Sequence, residues 1–218
     1  MRDYLPDSVL ERIRDRYLAG VADAEAKFQF NAGDEDSLTG ALGSAITTPE
    51  PVSHIVDGVR YTWQIYYRKL RGRGSGAPEK SLGADGIFQI EIHDQKGRVL
   101  KRKGLPFQAK KGWTVRDRSL VHQARKMTDS AGDGLVVDYS ARGFTCCSAE
   151  SVVDVDGQKK DLIDSWRIGS LGQAIGNEFL NCEIGVDGLF FDPDSEMFHI
   201  EPPEHAIGTS VEVERFPG

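Results

Sequence analysis

The chain has 218 residues, 39% of them hydrophobic and 28% charged, which is the composition of a globular protein and excludes a disordered or fibrous one. No apolar run reaches the roughly 20 residues of a membrane span. The polar start Met1-Arg-Asp-Tyr-Leu-Pro-Asp is unlike a signal peptide, and Cys146, Cys147 and Cys182 lack disulfide-framework or zinc spacing, so no membrane association and a cytoplasmic location are expected.

In chain order, Val9, Leu10, Ile13, Tyr17, Val21 and Ala24 recur at helical spacing within 7–29, after a Pro6-Asp7 start. A polar break over 31–36 precedes a second helix at about 36–46, with Leu38, Ala41, Leu42, Ala45 and Ile46 as its apolar stripe. Tyr61 to Lys69 alternates like a strand, and Arg71 to Ala77 is a Gly/Arg-rich loop. A strand at about 84–93 carries Asp85. A turn at 94–97 and a basic stretch from Arg98 to Lys103 lead to a strand containing Gln108. A helix over 117–128 and a short strand over 134–139 follow. Beyond them the pattern predicts a strand-like Ser151–Val155, a helix near 170–181, a strand-like Gly188–Phe191 and an irregular, proline-containing tail. The expected organisation is one α/β domain: an N-terminal helix (1–30), a core (31–140) and a C-terminal continuation (141–218).

The net charge of −7 is unevenly spread. Residues 60–126 hold 17 Lys and Arg against 5 Asp and Glu, and the remainder holds 10 against 29. That asymmetry predicts a local polyanion-binding face. Asp85, Gln108 and Lys110 lie inside the basic segment. Residues two apart in a strand share a face, so Gln108 and Lys110 point the same way. If their strand pairs with that of Asp85, a carboxylate, an amide and an ammonium converge. Such a group can hold Mg²⁺ or Mn²⁺ through hard oxygen donors and offset charge on a phosphate. Lys110 can orient a water or stabilise phosphate charge, and the carbonyl of Ala109 is a further donor. A second carboxylate is required; Glu35 in a first helical turn is the leading candidate and Glu79 the runner-up. For Asp34, Glu35 and Asp36 alike, favourable interaction with the helix dipole is the structural alternative.

Gly83-Ala-Asp85-Gly86, Phe107-Gln108-Ala-Lys110-Lys111 and the following Gln123-Ala-Arg-Lys-Met127 together resemble the PD-(D/E)xK nuclease superfamily, in its Mrr-like restriction endonuclease variant with a Gln-x-Lys motif. Ala84 stands where the namesake proline would be, and the 23-residue gap from Asp85 to Gln108 implies an extended hairpin. The resemblance implies a restriction-endonuclease-like core, α-β-β-β-α-β, with a mixed sheet flanked by helices. It implies Asp85, Gln108 and Glu35 as metal-binding residues, Lys110 as the catalytic lysine, and DNA hydrolysis in prokaryotic restriction or antiphage defence. A homodimer and a sensor or NTPase partner subunit are further expectations. The alternative is a non-catalytic nucleic-acid-binding or assembly subunit of the same fold.

Arg71, Arg73, Lys101, Arg102, Lys103 and Lys111 are the expected nucleic-acid contacts. Trp113 is the aromatic most suited to base stacking, against core packing as the bland reading. Gly74 to Ser81 approximates a P-loop, but Glu79 replaces a required glycine and a strand follows where a helix is needed. His199 and His205 flank a proline-rich tail with Glu201 and Glu204, where a metal site competes with a solvated tail as the default reading.

Overall fold

A computed structural model describes residues 1–70, 82–165, 167–192 and 203–216. Helix α1 (Asp7–Ala26) buries Val9, Leu10, Ile13, Tyr17, Val21 and Ala24, the apolar positions that its sequence spacing predicts. A short turn α2 (Phe28–Asn31) follows. Helix α3 (Glu35–Ile46) starts at Asp34, whose carboxylate accepts from Ser37 N at 2.7 Å. This N-cap satisfies one of the donors that every helix start leaves open, a contribution of about 1 kcal/mol.

Among the described residues nine strands form one mixed sheet: β1 (Val52–Val56), β2 (Val59–Lys69), β3 (Gly86–Asp94), β4 (Val99–Lys111), β5 (Leu135–Ser140), β6 (Gly143–Ser148), β7 (Gly169–Ser170), β8 (Val186–Asp187) and β9 (His205–Arg215). Their order is β1-β2-β9-β3-β4-β5-β6-β7, with β8 attached to β4. Strands β3 and β4 form the expected long antiparallel hairpin, with Gly86 opposite Phe107. Helix α4 (Arg118–Ala131) then carries the chain over to β5, which runs parallel to β4. Alternate residues split between two apolar layers. Phe88, Phe107, Ala109 and Val137 pack with α1 and α3, whereas Ile87, Val136 and Ala206 pack with Leu120, Ala124 and Met127 of α4. This is an α/β architecture, with helices on both faces of a largely open sheet.

Several expectations need correcting. The tail is not irregular: β9 lies in the middle of the sheet, antiparallel to β2 and parallel to β3. The three strands that precede α4 in the expected core are therefore not consecutive neighbours, because β9 separates β2 from β3. Ser151–Val155 is not strand-like. Ser148 caps Ser151 N at 3.1 Å and starts α5 (Ala149–Asp154), so the N-cap outweighs the β propensity of Val152 and Val153. Gly188–Phe191 forms no strand; pairing there is confined to Val186 and Asp187. The expected helix near 170–181 is present as a helical turn (Leu171–Gln173) running into a π-helical Ala174–Glu178. The first strand, β1, was not anticipated.

Candidate active site

Asp85 sits one residue before β3, where the β3–β4 ladder ends. The two glycines of Gly83-Ala-Asp-Gly86 explain its position. Gly83 has φ +69°, and a Cβ there would meet the Gln123 carbonyl oxygen at 2.5 Å; only glycine takes this conformation without strain and allows this approach to α4. A Cβ on Gly86 would lie 2.3 Å from the Phe107 ring. Backbone bonds then fix the residue between its two neighbours. Asp85 N donates to Phe107 O at 2.9 Å, and Asp85 O accepts from His205 N at 3.0 Å.

The Asp85 carboxylate continues the ladder with its own oxygen. Oδ2 accepts from Ala109 N at 2.9 Å and from Gln108 Nε2. Asp85 and Gln108 therefore meet as the sequence predicts. Gln108 is only 2% exposed, and its Oε1 is buried without a hydrogen-bond partner. An unmet buried carbonyl costs on the order of 1–3 kcal/mol. Glu35, first residue of α3, reaches the same strand end, where its Oε1 accepts from Lys111 N at 3.1 Å. Lys110 shares the face of Gln108, as expected. Its Nζ pairs with Asp117 Oδ2 at 3.6 Å, and it lines an adjoining groove that also includes Glu35. Burial pushes the Asp117 carboxyl up, but bonds from Leu120 N and Ser119 and the Lys110 charge outweigh it and hold the acid below its ordinary range.

A cavity of about 20 Å³ lies at this strand end, lined by Glu35, Asp36, Thr39, Asp85, Ala109, Glu204 and His205. It has room for a single water-sized body. Four carboxylates converge on that small space, a strong cation-attracting field at low dielectric. Asp36, Glu204 and His205 offer ligand atoms within 4.8 Å of one another. That trio already has its counter-charge, however. Lys69 Nζ lies 3.0 Å from Asp36 Oδ2 and 3.2 Å from Glu204 Oε1. His205 uses both ring nitrogens, Nδ1 with Tyr67 OH at 2.8 Å and Nε2 with Asp36 Oδ1 at 2.7 Å. Asp85 and Glu35 line the other side of the same cavity, with Gln108 bonded to Asp85 just behind it.

The solvated-tail reading of Glu204 and His205 fails, because both are buried, at 6% and 2% exposure. The signal that placed them was present in Ile207, Thr209, Val211 and Val213, which alternate like a strand; the flanking prolines obscured it. Burial drives the His205 imidazole pKa below its ordinary 6.5, against the opposing pull of Asp36 and Glu204. The unfolded chain therefore takes up this proton first. The stability that a neutral His205 contributes is complete above pH 6.5 and is lost as pH falls below it, towards the folded-state value. Chemical denaturation of the wild type and of H205Q between pH 7.5 and 5.5 should show the steeper loss in the wild type. Parallel pH profiles would refute the assignment.

The expected nucleic-acid contacts divide. Lys111 is exposed beside the site, with its Nζ held by the Ala32 and Gly33 carbonyls. Lys103 is not a surface contact. It is 1% exposed and donates to Phe179 O at 2.8 Å, and burial lowers its pKa. Lys101 is paired with Asp187 and Arg102 with Glu91. Both lie at the far end of β4, about 25–30 Å from Lys110 at the usual rise per residue. Trp113 is no stacking platform. It is 6% exposed, and its Nε1 donates to Val115 O at 2.8 Å. Arg71, Arg73, Glu79 and the P-loop-like stretch 74–81 lie outside the described residues, as does His199. No described helix is long and apolar enough to cross a membrane.

No protein-family model, curated protein or solved structure matches the chain.

Proposed function

We propose that the protein is a metal-dependent phosphodiesterase that hydrolyses DNA, using Mg²⁺ or Mn²⁺. One observation carries the reading: the Asp85 carboxylate is fixed by Ala109 N and Gln108 Nε2 at the rim of a cavity shared with Glu35. The donor set fits a hard cation. Asp85 and Glu35 supply carboxylate oxygens, and Ala109 lines the same cavity. The unpartnered Oε1 of Gln108 belongs to an amide already in contact with Asp85. A half-turn of that amide exchanges its oxygen and nitrogen, which a cation beside Asp85 would favour. The bound ion would lower the pKa of a water and offset charge on the phosphate.

The chain's own groups do the rest. Asp85 and Glu35 are held by backbone N–H groups, so they need little reorganisation to hold the ion. Lys110 is positioned on the groove side, where its ammonium can meet a phosphate oxygen. Its ion pair with Asp117, at 3.6 Å, is the contact for which a phosphate would compete. Supercoiled plasmid incubated with Mg²⁺ or Mn²⁺ should be nicked or linearised, and EDTA should stop the reaction. Tight DNA binding with no cleavage under either metal would instead support the non-catalytic alternative.

A further inference from the structure

We propose that the groove beside the candidate site seats the DNA backbone, and that the segment Lys111–Arg118 with the exposed face of α4 grips it in place of the β3–β4 hairpin. This rests on the phosphodiesterase reading for the class of substrate. The groove encloses about 620 Å³ and runs from Glu35 and Lys110 past Lys111, Val115 and Arg116 to Arg118. A strand lying in it would pass the cation-attracting cavity at the Glu35 end. Residues 110–118 contain four cations and one acid. That acid, Asp117, is engaged as the cap of α4 and by Lys110.

Charge continues beyond the groove. Arg118 and Arg125 are exposed at i and i+7 of α4, on one side of the helix, with His122 between them. Arg116 has Asp156 as its partner, in a pair exposed on both sides. Such a pair is weak enough to exchange for a phosphate. The hairpin offers the opposite picture. Arg98 is matched by Asp94, Lys101 by Asp187 and Arg102 by Glu91, and Lys103 is buried.

The groove wall is also pre-organised. Gly112 N donates to Tyr139 O at 3.0 Å, Trp113 N to Asp138 Oδ1 at 2.8 Å, and Asp117 N to Gly157 O at 3.3 Å. The Trp113 indole holds Val115 O. Val115 is thereby presented 73% exposed amid the cations. An apolar tip set among phosphate-binding groups is suited to sugar and base surface between the phosphates. A fixed wall of this kind loses little entropy on binding.

Fluorescence anisotropy with a labelled duplex of about 20 base pairs, in EDTA so that nothing is cut, tests the assignment. R118A/R125A should weaken binding about tenfold at low salt and reduce the slope of log K against log salt by about 2. V115D should weaken it as well. R98A/K101A should leave affinity and slope unchanged. Arg118, Arg125, Val115 and Arg98 are exposed and Lys101 is half-buried, and unchanged melting curves check the fold of each variant. If the hairpin variant loses affinity and the groove variants do not, or if the wild type binds no duplex, the proposal is overturned. Its failure is separable from that of the phosphodiesterase reading. EDTA-sensitive cleavage that survives R118A/R125A undiminished removes the groove alone. Groove-dependent binding without cleavage under Mg²⁺ or Mn²⁺ removes the hydrolytic reading alone.

Discussion

Asp85→Asn is expected to lower Mg²⁺-dependent cleavage by about 10³-fold, several kcal/mol of barrier, while leaving the protein folded. The substitution keeps the shape of the side chain. An Asn oxygen can still accept from Ala109 N, the bond that the carboxylate makes at 2.9 Å, so the end of the β3–β4 ladder stays closed. What disappears is one negative charge at the mouth of a cavity built around carboxylates. Of the other acids, Glu35 already serves as the second carboxylate, and Asp36 and Glu204 pair with Lys69. Asp94→Asn, at the opposite end of β3 and facing Arg98, is the matched control and should cut at the wild-type rate. Both rates come from plasmid cleavage at saturating metal, with circular dichroism to check folding. Wild-type cleavage by D85N, still sensitive to EDTA, would refute the assignment of Asp85.

Removing residues 203–218 is expected to abolish the folded state. These residues include all of β9, which pairs along its whole length with β2 and, from His205 to Val213, with β3. Without it the sheet splits. β2 keeps β1 and β3 keeps β4, but each loses the ladder on its β9 side, leaving that row of backbone groups unpaired. The strand also closes the core. Ile207 and Val211 are fully buried, and Thr209 bonds the buried Tyr17 hydroxyl of α1 at 2.8 Å. A milder version uses the full chain: Ile207→Ala should cost about 2–5 kcal/mol, as for a large-to-small change in a closed core. Urea denaturation measures it. A truncated chain that melts cooperatively, or an Ile207→Ala variant within about 0.5 kcal/mol of the wild type, would contradict the central position of β9.

Much of the fold was legible because it is locally encoded. The stripe from Val9 to Ala24 forms one helix and that from Leu38 to Ile46 another, since a 3.6-residue period needs no distant partner to be recognised. The β3–β4 hairpin was legible from its turn: Asp94 accepts from Lys96 N and Arg98 N, and Gly97 takes φ +74°. The misreadings share a different cause. Ser151–Val155 is rich in strand formers, but one serine cap decides its conformation. Residues 205–215 look like the end of a chain in sequence and lie at the centre of the sheet in space.

The candidate site divides the same way. Asp85, Gln108, Lys110 and Glu35 were readable because a strand alternates and a carboxylate beside basic residues stands out. Glu204 and His205 entered the cavity only through the pairing of β9 with β3, which no local pattern specifies. The basic residues were countable but not assignable. Whether a lysine meets a partner acid or a carbonyl, at the surface or in the core, depends on what the fold packs around it: Lys101 pairs with Asp187, exposed Lys111 with loop carbonyls, and buried Lys103 with Phe179 O.

By itself the sequence determined the periods, caps and turns, and hence which segments become helices or hairpin strands and which side chains share a face. These are properties of neighbours within a few residues, set by backbone sterics and local hydrogen bonds. Only the tertiary structure decided which distant strand separates β2 from β3, which acids share the cavity with Asp85, and which cations remain open to a phosphate. Those outcomes come from burial and pairing between residues mostly tens of positions apart, and for β9 with β2 and β3 more than 100.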